Sequence, residues 1–171
     1  MPRQSAGLAS LVSFPNPVNE VMARVVAAGV VVLGLATVLL QLPWLSAVLA
    51  VGFLLRVLSG PRFSPLALLA GRVIVPRLPF RAKLVPGPPK RFAQAIGLLF
   101  STSAGVLFLL GLDSAGYVVI GALVVAAGLE AFAGLCLGCR AFALLIRAGV
   151  IPEEVCEACN DIWSRRASAA S

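Results

Sequence analysis

Residues 23–42 read ARVVAAGVVVLGLATVLLQL, and this stretch decides the fold. It holds no acid, and its one base, Arg24, sits at the edge. Twenty residues at about 1.5 Å rise cover about 30 Å, the hydrocarbon thickness of a bilayer. The stretch predicts a transmembrane helix. It is too long for the core of a signal peptide, and a second apolar run follows it closely, so the helix is expected to be retained.

The whole chain agrees. Of its 171 residues, 60% are hydrophobic and only 12% charged, with a mean hydropathy of +1.00. Soluble domains average roughly 45–50% apolar and about 25% charged residues. The net charge of +7 does not point to nucleic acid. The basic residues are not interleaved with aromatics on a soluble scaffold; they stand beside apolar segments, where they specify membrane topology.

Further spans follow from the same pattern. Leu42-Pro43-Trp44 makes a turn, with Trp44 where an interfacial aromatic belongs. Residues 45–58 are a short second span, with Arg56 near its end. Residues 59–91 form a Pro-rich connection with seven basic residues and no acid. Within it, residues 66–75 are too short to span and predict an interfacial helix, with Arg72 and Arg77 toward anionic lipid. Residues 92–112 are the third span, with Gly97, Ser101 and Gly105 on one face for close packing. Residues 117–146 are the fourth, longer than one crossing, so the helix either projects beyond the bilayer or breaks near Gly134 and Gly138.

The expected fold class is therefore all-α: a four-span transmembrane bundle. Residues 1–20 are an N-terminal arm, in which Asn19 is placed to cap the first helix. Residues 21–147 are the membrane domain, and 148–171 a tail with a short helix starting near Pro152. In this arrangement all fourteen Lys and Arg residues fall on one side. Basic loops stay cytoplasmic, so both termini and the middle connection are expected inside a bacterial inner membrane.

Four cysteines carry the chemistry: Cys136-Leu-Gly-Cys139 and Cys156-Glu-Ala-Cys159. There is no histidine. Cytosolic thiols stay reduced unless redox-active or metal-bound, so a permanent disulfide is disfavoured. One reading is thiol redox or sulfur relay, in which the two pairs exchange by thiolate attack and a soluble thioredoxin-like or sulfurtransferase protein docks on the tail. Arg140 lowers a nearby thiol pKa in this reading, and the acids around Cys156 and Cys159 disfavour the thiolate there. The other reading is metal: the Cys-x2-Cys-x16-Cys-x2-Cys spacing suits a four-thiolate structural zinc site, and iron has the same donors. Glu130 is the one acid well inside a span. It is either a proton relay or an interhelical partner of Arg24, Arg56 or Gln94. A small solute transporter using Glu130 and the basic connection is a third class.

Three segments also carry a resemblance. Phe14-Pro-Asn-Pro-Val-Asn-Glu20, Arg56-Val-Leu-Ser-Gly-Pro-Arg-Phe-Ser-Pro65 and Cys136-Leu-Gly-Cys139 resemble a bacterial membrane family described as domain of unknown function 4395. The similarity covers roughly residues 16–159. It implies a four-helix inner-membrane protein and brings no activity to carry over.

Overall fold

The computed structural model describes residues 18–59, 64–74, 84–85 and 87–150. Among them are six helices, which we label α1 (Glu20–Leu39), α2 (Leu45–Ser59), α3 (Pro65–Leu69), α4 (Gly87–Leu109), α5 (Asp113–Ala133) and α6 (Leu137–Arg147). A π-helical turn, Ala70–Ile74, continues α3. Two short strands, β1 (Val18–Asn19) and β2 (Leu84–Val85), pair antiparallel and tie the start of α1 to the approach of α4.

Three helices, α1, α4 and α5, are long and apolar enough to cross a membrane. The fifteen-residue α2 is apolar but shorter, about 22 Å at 1.5 Å per residue. Leu109 is 88% and Phe132 77% exposed on the outside of the bundle, and Val32, Leu39 and Val118 are exposed with them. Water would penalise so much contiguous apolar surface; lipid does not. The chain has the character of a membrane protein.

The four longer helices close into a ring: α1 packs on α5, α5 on α4, α4 on α2 and α2 on α1. Val30, Leu49, Phe53, Ala104, Ile120, Leu123 and Ala127 meet at the centre. The small face of α4 lies against α2, where a Cβ on Gly97 would come within 2.3 Å of the Phe53 ring. Ser101 is fully buried and satisfies its hydroxyl by donating to the Gly97 carbonyl at 2.8 Å. The α3 segment packs through Ala67 and Ala70 onto Val26 of α1, leaving Arg72 exposed; Arg77 lies outside the described residues.

Local chemistry sets the helix ends. Asn19 caps α1 as expected, its side-chain oxygen accepting from Val21 N at 2.9 Å and Met22 N at 3.4 Å. Helix α4 starts five residues before the expected span because Pro88 and Pro89 occupy its first turn, where a missing N–H costs nothing. The largest departure is in the expected 117–146 span. Helix α5 begins at Asp113 and stops at Ala133, and α6 starts anew at Leu137. Of the two alternatives open in the sequence, the break is the one realised.

The break has a physical cause. Gly134 takes φ 66°, a left-handed conformation that only glycine adopts freely. Gly134 N donates to Glu130 O and Leu135 N to Leu129 O, closing the helix with a Schellman-type cap. Gly134→Ala is expected to cost about 1–2 kcal/mol of unfolding free energy, the penalty for a Cβ in that region. A lowered thermal transition in detergent micelles is the check. An unchanged transition would mean the cap is dispensable.

Candidate dithiol site

One end of the bundle collects the buried charged side chains, Arg56 and Lys90 with Glu130. The start of α1, the end of α2, the start of α4 and the end of α5 meet there, and the Gly134–Cys136 linker leads into α6 across them. Arg24 of α1 donates from Nε to the Ala131 carbonyl at 3.1 Å and from Nη2 to the Phe132 carbonyl at 2.8 Å. These are orphan acceptors of the last turn of α5, and a cation suits that end of the helix dipole. Arg24 thereby fixes where α5 ends and where the linker to the cysteines begins.

Cys136 is not a mid-helix residue sharing a face with Cys139, the relation an unbroken helix would impose. It is the N-cap of α6, and its sulfur accepts from the Cys139 backbone N–H at 3.3 Å. The sulfur therefore sits at the positive end of a helix dipole, a setting that favours a thiolate. Both thiols are free and half-buried. The hydrogen bond with the Cys139 side chain holds the Cys136 thiol below its ordinary value, with help from the charge on Lys90 and the Cys139 N–H, and against burial and Glu130. The same thiol–thiol hydrogen bond, then burial and the nearby Cys136 charge, pushes the Cys139 thiol strongly up. The two cysteines are thus unequal, the Cys136 thiol drawn down and the Cys139 thiol pushed up.

Glu130 lies on α5 one turn before the break. Its partner is Lys90 of α4, which donates to its carboxylate; Arg24, Arg56 and Gln94, the expected candidates, do not. The Pro-rich pattern puts Lys90 in the connection, whereas the structure puts it in the first turn of α4. Proline at the start of a helix is the signal that points there. Arg56 also feels the Glu130 charge, but its guanidinium lies over the Phe53 ring, 4.4 Å from the centroid, and its buried Nε and Nη1 hold no hydrogen bond.

A cavity of about 250 Å³ adjoins this group, walled by α1, α2, α4, α5 and the start of α6. Its lining is apolar except for Gln94, Glu130 and Cys136. Helix α6 is held beside it by Phe142, whose ring packs on Phe92 at 5.5 Å, and by a close approach at Gly138. A Cβ on Gly138 would meet the backbone of Ala93 at 2.6 Å. Gly138→Ala is therefore expected to push α6 off α4, costing about 1–3 kcal/mol. It should also change the alkylation rate of Cys136, measured by mass spectrometry. Unchanged stability and an unchanged rate would show that the contact relaxes freely.

Residues 18–147 match the sequence profile described as Domain of unknown function (DUF4395). The chain belongs to this family. The matched span of this DUF4395 protein contains the whole bundle, α6 and the first cysteine pair. No curated protein and no solved structure matches the chain. Cys156 and Cys159 lie outside both the matched span and the described residues. Among the described residues no cluster of three or more His, Cys, Asp or Glu could hold a metal. The described part of the DUF4395 protein thus brings together Cys136, Cys139, Glu130 and Lys90.

Proposed function

We propose that this DUF4395 protein is a membrane-embedded dithiol oxidoreductase or sulfur-relay component. Cys136 is the attacking thiol and Cys139 the resolving one. The observation that carries the reading is the N-cap position of Cys136, with its sulfur on the Cys139 N–H at the start of α6. Thiolates are the nucleophiles in disulfide exchange, and a helix N-terminus is where a protein makes one. Cys156 and Cys159 form the second pair in this scheme, exchanging with the first and passing equivalents to a soluble thioredoxin-like or sulfurtransferase partner.

The proposed setting is a bacterial inner membrane, with α2 as a fourth, short crossing. Lys90, Arg24, Arg56 and Arg140 all belong to the end of the bundle that carries the cysteines. Basic residues favour the cytoplasmic side, so that end, both termini and the basic connection face the cytoplasm and its anionic headgroups.

Redox titration of the purified protein tests this, with thiols counted by alkylation and mass spectrometry. A reversible Cys136–Cys139 disulfide is expected, and Cys139→Ser should accumulate a mixed disulfide at Cys136. Stoichiometric zinc that resists chelation, with no titratable dithiol, would instead establish the four-thiolate metal site. Vesicle uptake that survives loss of all four cysteines would favour a transporter built on Glu130.

A further inference from the structure

The cavity beside Cys136 has a composition that selects its occupant. Its volume is about 250 Å³. An engineered apolar cavity of about 150 Å³ already binds benzene, so one substituted ring fits here. The space exists because small side chains face one another across it: Ala23 and Ala27 from α1, Ala93 from α4 and Ala126 from α5. The Phe53 and Phe100 rings line it as well. Among the described residues the only charged group in its wall is Glu130, already engaged by Lys90. A charged ligand would find no free counter-charge in that wall, so the occupant is neutral.

One polar atom is left over. Gln94 Oε1 is buried and accepts no hydrogen bond. A neutral ligand carrying an O–H would satisfy it. The walls are the helices of a membrane bundle, and a lipid-soluble ring suits an apolar space of that kind. Cys136 lines the same cavity, and its sulfur accepts from the Cys139 N–H.

We propose that the cavity binds a bilayer-soluble quinone, placing a neutral two-electron acceptor against the Cys136–Cys139 dithiol. This deepens the dithiol reading and rests on it. The step balances without a further reactant. The S–S bond forms and both S–H bonds break. The two electrons reduce the ring, and the two protons end on its two carbonyl oxygens. Dithiol and quinone become disulfide and hydroquinone. A hydroquinone O–H is then the donor that Gln94 Oε1 lacks.

The test uses the full chain, pre-reduced in detergent micelles, and a fully ring-substituted dimethoxy-methyl-decyl benzoquinone, which has no open ring position at which to arylate a thiol. Loss of one quinone absorbance per Cys136–Cys139 disulfide formed is expected. Ala126→Phe or Ala23→Leu should slow quinone-driven oxidation by about tenfold or more, as cavity-filling groups exclude the ring. Diamide, a small water-soluble oxidant, should still form the disulfide in both. Using two variants on different helices guards against misfolding in either one. If wild type is oxidised by diamide but not by the quinone, the quinone site is overturned while the dithiol stands. If both filled variants react with quinone at the wild-type rate, the ring is not in this cavity. If diamide too leaves wild type without the disulfide, the dithiol reading itself falls.

Discussion

Glu130→Gln is expected to lower the unfolding free energy by about 3–5 kcal/mol, the usual cost of leaving one member of a buried ion pair without its partner. The Lys90 side chain is 9% exposed and that of Glu130 14% exposed, so neither charge can be handed to water where it stands. Arg56 adds to the effect. Its buried guanidinium also feels the Glu130 carboxylate, and two of its nitrogens hold no hydrogen bond. Removing Glu130 takes away the one carboxylate whose charge both buried cations feel. The double replacement Lys90→Met with Glu130→Met removes one charge of each sign and should recover most of the loss, because a hydrophobic pair of similar volume often matches a buried salt bridge. Denaturant unfolding of wild type, Glu130→Gln and the double replacement in micelles is the measurement. A single replacement as stable as wild type would show that the pair is solvated and does not hold α4 to α5.

The second large effect concerns Cys136. In the wild type, alkylation of Cys136 by iodoacetamide should outpace that of Cys139 throughout the neutral range, and Cys139 should stay nearly inert. The pH at which Cys136 becomes half-reactive should lie below the ordinary thiol value, which is about 8.5. Cys139→Ser should move that midpoint, because the Cys139 thiol hydrogen bond is the leading cause of the low value. Cys136→Ser should leave dithiol chemistry absent from this pair altogether. The sign of the stability effect follows from linkage. A group whose pKa is depressed on folding contributes stability that is fully present above its unfolded pKa and is lost as pH falls through its folded pKa. Cys136 therefore favours the folded state most at alkaline pH and gives this up toward neutral and acid pH. Cys139, pushed up, acts in the opposite sense above the ordinary thiol value. The two offset in unfolding experiments, and alkylation of each residue separates them. Equal rates at Cys136 and Cys139 would mean that the N-cap contact does not distinguish the two sulfurs.

Much of this architecture is legible along the chain because lipid imposes a length and a composition. Residues 23–42 can bury no charge and are long enough to cross, and that alone fixes a helix, since a spanning segment must satisfy its own backbone. The cap at Asn19 and the packing face at Gly97, Ser101 and Gly105 are local or periodic signals of the same kind. Helix α4 is less legible. Pro88 and Pro89 read as part of the Pro-rich connection, although the first turn of a helix accepts proline. Lys90, the partner of Glu130, is therefore not recognisable as a bundle residue from the pattern alone.

The sequence by itself determined an all-helical membrane protein of this family and the presence of a Cys-x-x-Cys pair late in the last long apolar run. Tertiary structure decided what that pair is. An apolar run continues unbroken through Gly134, and hydropathy does not register the backbone angle that ends α5 there. The break requires three groups distant in sequence or hidden in conformation: the left-handed Gly134, the Arg24 guanidinium on the Ala131 and Phe132 carbonyls, and Ala93 against Gly138. Together they turn Cys136 from one more residue of a long helix into the N-cap of a new one. A sulfur in mid-helix would face hydrocarbon and keep its proton. At the N-cap it meets an N–H, a helix dipole and the charge of Lys90, which together favour the thiolate.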